Sequence, residues 1–176
     1  MIKKISYAGI PVILTAYFIV YAGQADLFVL LKNALIIIFG YIAAVTDIKL
    51  RIIPNKLILI MLAAWVTLTA PRLFLGIDPA LVILTGSLSG FLAGGGLFLL
   101  VYIISRKGLG GGDVKFMAAA GLYTGFAGTL TVMLYGTVIA ALVGFVLLIF
   151  KKIGRKDAIP LAPFLYIGIL VTVFYG

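Results

Sequence analysis

The acids of this 176-residue chain are five, and all are aspartates: Asp26, Asp47, Asp78, Asp113 and Asp157. Glu, His and Cys are absent. Without His there is no Ser-His-Asp triad and no imidazole metal ligand. Without Cys there is no disulfide framework, thiol nucleophile or zinc–thiolate site, and the redox compartment cannot be read. The acid–base chemistry left is that of paired carboxylates, with Lys or Tyr in support. Two carboxylates sharing a site do not both ionise easily, so one holds a proton near neutral pH. One Asp then acts as base on a water while the other polarises a peptide carbonyl, with neither metal nor cofactor required. Asp47 follows Ala43-Ala44-Val45-Thr46 and Asp113 follows Gly110-Gly111-Gly112. Asp26 and Asp78, the latter before Pro79, read as loop or cap residues, and Asp157 balances the basic run Lys151–Lys156.

The elements that must position this pair are membrane spans. Apolar residues make up 64% of the chain and charged ones 11%, against about 45–50% and about 25% in soluble domains. Runs near the roughly 20 residues that cross a bilayer cover Ile5–Ala22, Leu27–Thr46, Leu57–Leu75, Ala80–Ile104, Leu130–Phe150 and Leu161–Tyr175, with a shorter one at Val114–Ala127. Connections are short, which predicts one all-α, polytopic helix bundle over residues 1–176. If every run crosses, twelve of the fourteen Lys and Arg fall on the N-terminal side, and only Lys32 and Arg72 fall outside. Cytoplasmic loops carry the excess of Lys and Arg. The expectation is therefore seven spans in the cell (inner or plasma) membrane, with a cytoplasmic N-terminus. The fifth span is short, tilted or broken, and six spans are the alternative. Lys3-Lys4, the first run and Gly23-Gln24-Ala25 loosely fit a signal peptide, but the run is long for one and a retained anchor is expected. The net charge of +9 sits beside apolar spans, where topology and anionic lipid account for it; nucleic acid is not an expected partner.

Gly86, Gly90 and Gly94 recur every four residues, and Gly121 and Gly125 repeat the spacing. Such stripes let helix backbones approach closely, and internal packing is the expected use. The loop with Gly108, Gly110, Gly111 and Gly112 lacks the Lys-Ser or Lys-Thr of a phosphate loop and the preceding strand of a dinucleotide site. Its backbone can bend sharply and approach another chain closely. By the expected topology Asp47 ends the second span and Asp113 opens the fifth, both at the cytoplasmic boundary. Ionisable groups at such depth are costly and often functional. On position alone a catalytic pair and two unrelated helix-end residues, with Asp113 as an N-cap, both remain open.

Asp47 opens the segment Asp47-Ile48-Lys49-Leu50-Arg51-Ile52-Ile53-Pro54-Asn55-Lys56-Leu57, and Asp113 closes Gly110-Gly111-Gly112-Asp113 before Val114-Lys115-Phe116. Together these resemble the two signatures of type IV prepilin peptidases, the GxGD membrane aspartic proteases. Ile159-Pro160-Leu161-Ala162-Pro163-Phe164-Leu165 is similar to the proline-containing start of that family's last span. The resemblance runs from about Leu35 to the C-terminus. It implies cleavage of the short basic leader from prepilins or pseudopilins at the cytoplasmic face, with Asp47 and Asp113 as the catalytic pair. Gly110 and Gly112 are expected to shape the loop that carries Asp113, Pro54 and Asn55 the turn into the third span, and Lys115 to lie beside them. Many members also methylate the new N-terminus through a cytoplasmic region between the first two spans, often with paired Cys. Here Gly23–Asp26 joins those spans and Cys is absent, so peptidase activity alone is expected. A small transporter or a non-enzymatic membrane subunit of a secretion complex is the alternative, but no span carries an acid or base at its centre. Presenilin-type proteases place Tyr before the first Asp and carry Pro-Ala-Leu, whereas this chain has Thr46 and Pro160-Leu161-Ala162-Pro163. The dipole of each aspartate's own helix favours the anion at Asp113 and the acid at Asp47. Asp113 is thus expected to ionise more readily, with Lys49, Arg51 and Lys115 close enough to alter the order.

Overall fold

A computed structural model describes residues 9–21, 23, 26–74, 77–105, 108–152, 154 and 159–175, with side chains from 80 onward in the segment beginning at 77. Lys3, Lys4, Arg106, Lys107, Arg155 and Lys156, used above to infer orientation, lie outside the described residues, as does Asp157. So does the side chain of Asp78. The described residues form helices and no strands: α1 (Gly9–Tyr21), α2 (Leu27–Leu50), α3 (Asn55–Leu73), α4 (Ile77–Ile104), α5 (Gly111–Ile149) and α6 (Ala162–Tyr175).

These helices form because long apolar runs are punctuated only at their ends, where backbone geometry stops each one. α2 ends where Arg51 adopts the left-handed conformation (φ 53°) and donates its N–H to the Asp47 carbonyl at 2.9 Å. Ile53 then precedes Pro54, which disfavours helix at Ile53, and Pro54 serves as the N-cap of α3. Segments Leu27–Leu50, Asn55–Leu73, Ala80–Ile104 and Gly111–Ile149 are long and apolar enough to cross a membrane. Their outer faces are as apolar as the core: Ile19, Leu59, Val82, Ile103, Leu142 and Phe145 are exposed, while Ile36, Ile37, Met61, Phe116, Leu165 and Ile169 are buried. Helices apolar all round belong in lipid.

α5 is two arms. Gly125 sits at φ 68°, ψ −177°, a conformation essentially reserved for glycine. A methyl group placed on Gly94 would abut the Met117 carbonyl and lie 3.2 Å from Thr129 Cγ2. A straight helix would hold positions 117 and 129 about 18 Å apart, so the chain folds back between them. The break falls at Gly125, a few residues before the 127–130 boundary expected from the apolar runs. The first arm, 111–124, reaches only about 21 Å, which agrees with the short fifth run.

With the arms separated, the described residues form seven helical segments whose neighbours alternate in direction. Gly90 meets Gly121 and Gly94 meets Met117, so α4 runs antiparallel to the first arm. Gly168 meets Val132 and Gly136 meets Leu165, so α6 runs antiparallel to the second arm. Gly40 packs on Tyr166 and Ile169, pairing α6 with α2. Gly90 and Gly94 therefore serve internal packing, as expected, whereas a Cβ on Gly86, the first member of the stripe, would meet nothing within 4 Å. Trp65 Nε1 donates to the Leu122 carbonyl at 3.0 Å and the Tyr123 hydroxyl to the Met61 carbonyl at 2.6 Å, tying α3 to the first arm. Asp26 and Arg72 form an ion pair at the end of the bundle away from Asp47.

Candidate active site

Asp47 and Asp113 line one cavity of about 210 Å3, together with Arg51, Ile52, Ile53, Asn55 and Gly110–Gly112. Three helix ends converge there. α2 runs on to Leu50, so Asp47 lies inside the helix's last turn and not at its terminus as the apolar run suggested. It is only 7% exposed. Its Oδ2 accepts the N–H of Ala162, the first residue of α6, at 2.9 Å. An N-terminal helical N–H has no partner within its own helix, so Asp47 caps α6 from across the bundle.

Asp113 is the third residue of α5. Gly110, not Asp113, occupies the N-cap position, and no side chain caps this end. The Asp113 backbone N–H donates to the Gly110 carbonyl at 3.1 Å. Oδ1 of Asp113 is buried and has no hydrogen-bond partner. A buried polar atom without a partner asks for an explanation, and its residue lines the cavity shared with the second carboxylate. Each aspartate therefore stands at a helix N-terminus: Asp113 at its own, Asp47 at that of α6. Position within the parent helix alone does not order the two acids, because α6 opposes the dipole of α2 at Asp47 and supplies a hydrogen bond as well.

The remaining motif residues surround the pair. Lys115 Nζ donates to Asn55 Oδ1 at 3.0 Å, joining the start of α5 to the start of α3. Pro54 heads α3 beside them. A Cβ on Gly110 would lie 2.8 Å from Asp113 Oδ2, one on Gly112 3.3 Å from Ile53 Cβ, and one on Gly111 would meet nothing within 4 Å. Three substitutions should thus separate by mechanism. Gly110→Ala displaces the Asp113 carboxyl and is expected to cost about tenfold to a hundredfold in turnover with little loss of stability. Gly112→Ala presses on buried Ile53 and should lower both turnover and melting temperature. Gly111→Ala should leave turnover within about twofold of the wild type and the melting temperature nearly unchanged. Peptide-cleavage rates and thermal melts of the three variants check this.

The Ala162 donor was invisible in the sequence, where only the proline pattern of 159–165 drew notice. Nor does the sequence pair Lys115 with Asn55, although each stands in one of the two motifs. Among the described residues no three acidic side chains come together as a metal site. Six of the eight described Lys and Arg, Lys49, Arg51, Lys56, Lys115, Lys151 and Lys152, lie at the aspartate end.

Comparison with known proteins bears on this arrangement. The chain is 30% identical over 135 residues to a prepilin leader peptidase/N-methyltransferase of Bacillus subtilis, covering 77% of this chain and 52% of the relative. It is 28% identical over 144 residues to one of Xanthomonas campestris, covering 80% and 49%, and 30% identical over 133 residues to one of Legionella pneumophila, covering 74% and 45%. It spans about half the length of these curated relatives. No solved structure matches it. Residues 34–149 match the type IV leader peptidase family, a stretch that holds both aspartates, Pro54, Asn55, the glycine loop and Lys115. With that match extending over more than half of its length, the chain belongs to the type IV leader peptidase family.

Proposed function

We propose that this chain is a membrane aspartic endopeptidase that removes the leader from type IV prepilins or pilin-like precursors, with Asp47 and Asp113 as the catalytic pair. The observation that carries this is the shared cavity: two carboxylates from different helices, one hydrogen-bonded to the α6 N-terminus and the other with a buried, unpartnered oxygen. In the proposed reaction one carboxylate takes a proton from water, and the water oxygen attacks the scissile carbonyl carbon. The carboxyl of the other aspartate donates its proton to the carbonyl oxygen, giving a tetrahedral diol. Proton return to the amide nitrogen lets the C–N bond break. The reaction proposed is hydrolysis alone, without methylation of the product.

The substrate's leader is basic, and so is the aspartate end of the bundle. Long-range attraction therefore does not recruit it; its apolar helix partitions into the bilayer and docks laterally. The purified chain in detergent is expected to cut a prepilin once, at the leader junction, as read by mass spectrometry. An intact precursor, or cuts scattered along it, would overturn the proposal.

The same proposal places the aspartates at the cytoplasmic face, with seven crossings and a cytoplasmic N-terminus. A chain without Cys makes this directly measurable. Gly23 and Lys152 are both exposed and lie at opposite ends of the bundle. A membrane-impermeant maleimide is expected to label Gly23→Cys in intact cells and Lys152→Cys only after permeabilisation. The reverse pattern would invert the topology.

A further inference from the structure

We infer that the end of the bundle opposite the aspartates holds a binding site for a phosphate-bearing anion, seated between Lys32 and Tyr17. A cavity of about 520 Å3 opens there between α1, α2, α6 and the reversal of α5. Lys32 lines it, and lines the adjoining cavity of about 210 Å3 as well. Fifteen residues separate Lys32 from Asp47 along α2, about 22 Å of helix, so this site is distinct from the aspartate cavity.

Two donors in it lack acceptors. Lys32 is half-buried, and among the described residues it has neither an ion-pair nor a hydrogen-bond partner. The acid at the head of its own helix, Asp26, is taken by Arg72. Tyr17 is 1% exposed and its buried hydroxyl has no hydrogen-bond partner. The Asn33 side chain approaches the phenol oxygen, and its amide adds to the same wall. The other hydroxyls nearby are spent: Tyr21 donates to the Phe174 carbonyl and Thr172 to the Gly168 carbonyl.

An ammonium and a phenol held unpartnered among apolar helices are expensive to keep, unless an anion supplies the acceptors. Phosphate does so with several oxygens and a charge, giving short charge-assisted hydrogen bonds. Lys32 is the sixth residue of α2, about 8 Å below its first residue, and the exposed Asp26–Arg72 pair marks the rim above it. A phospholipid headgroup and free phosphate share this chemistry, and the arms of the titration below separate the two sources.

The chain carries one Trp, and Trp65 lines the adjoining cavity with Lys32, so its fluorescence reports occupancy. The full chain, purified in a non-ionic detergent, is titrated with dihexanoylphosphatidylglycerol, with inorganic phosphate and with dioctanoylglycerol, which lacks phosphate. The phospholipid is expected to shift Trp65 emission saturably and to raise the melting temperature. Lys32→Met should weaken that binding by about tenfold or more, and Tyr17→Phe by about threefold to tenfold. Lys32→Arg should retain it, which keeps the test valid if the Met variant fails to fold. Equal response to dioctanoylglycerol, or unchanged binding by both Lys32→Met and Tyr17→Phe, would overturn the site. Inorganic phosphate binding as tightly as the phospholipid would overturn the lipid source and leave a free-anion site.

Discussion

Leader removal is expected to fall by about a hundredfold or more when either Asp47 or Asp113 is replaced by Asn. The amide has the shape of the acid and lacks its proton chemistry. At Asp47 the substituted side chain can still present an oxygen to the Ala162 N–H, which the carboxylate accepts at 2.9 Å in the wild type. The bundle should therefore keep its melting temperature while losing turnover. At Asp113 the oxygen Oδ1 makes no hydrogen bond that folding depends on, so the same separation of activity from stability is expected. The double variant should be hardly worse than either single one, because residues that act as a unit lose their effect together. Co-expression with a prepilin, followed by the ratio of precursor to processed pilin, measures all three. Normal processing by either single variant would remove the two-aspartate mechanism.

The second large effect is expected at Gly90. A Cβ there would run into the Gly121 carbonyl and lie 2.7 Å from the Gly125 carbonyl carbon. Those are backbone atoms, which cannot step aside as a flexible side chain can. Gly90→Leu must therefore push α4 away from the first arm of α5, at a cost of about 1–3 kcal/mol or more. That arm carries Asp113, so activity should fall with stability. Gly96 lies on the same helix, exposed, and a Cβ there would meet nothing within 4 Å. Gly96→Leu is the matched control and should leave melting temperature and turnover nearly unchanged. Equal destabilisation by the two substitutions would mean that the α4–α5 contact is not the tight one.

Much of the architecture was legible because lipid enforces it. An apolar run bounded by charge or proline can hardly be anything but a span, and Ala80–Ile104 and the start at Leu27 appear in the helices as read. The reversal was legible to within a few residues, as the boundary between the run ending at Ala127 and the run starting at Leu130. Its exact place at Gly125 was not, because no charge or proline interrupts Gly125-Phe126-Ala127-Gly128-Thr129 and only a dihedral angle marks the turn. Asp47 and Asp113 stood out because acids are scarce in this chain, and the glycines before Asp113 because a bend needs them. Their encounter across 66 positions depends on helix ends meeting, which no local pattern encodes. The Ala162 contact was further out of reach, since a backbone N–H has the same letter whether it is free or holding a carboxylate. The Lys115–Asn55 bond lay between these cases: two polar residues in apolar surroundings were noticeable, but not their pairing.

The Ala162–Asp47 bond also has a meaning in time. Its two ends are 115 residues apart, and the donor belongs to the last helix in chain order. At about 5–20 residues per second, a ribosome needs several seconds to a few tens of seconds to go from one to the other. Throughout that interval a nascent chain already carries Asp47, and later Asp113, in the bilayer without the contact that holds the first of them. In the proposed protease, the aspartate pair is therefore complete only once α6 has been made and inserted, well after both of its members.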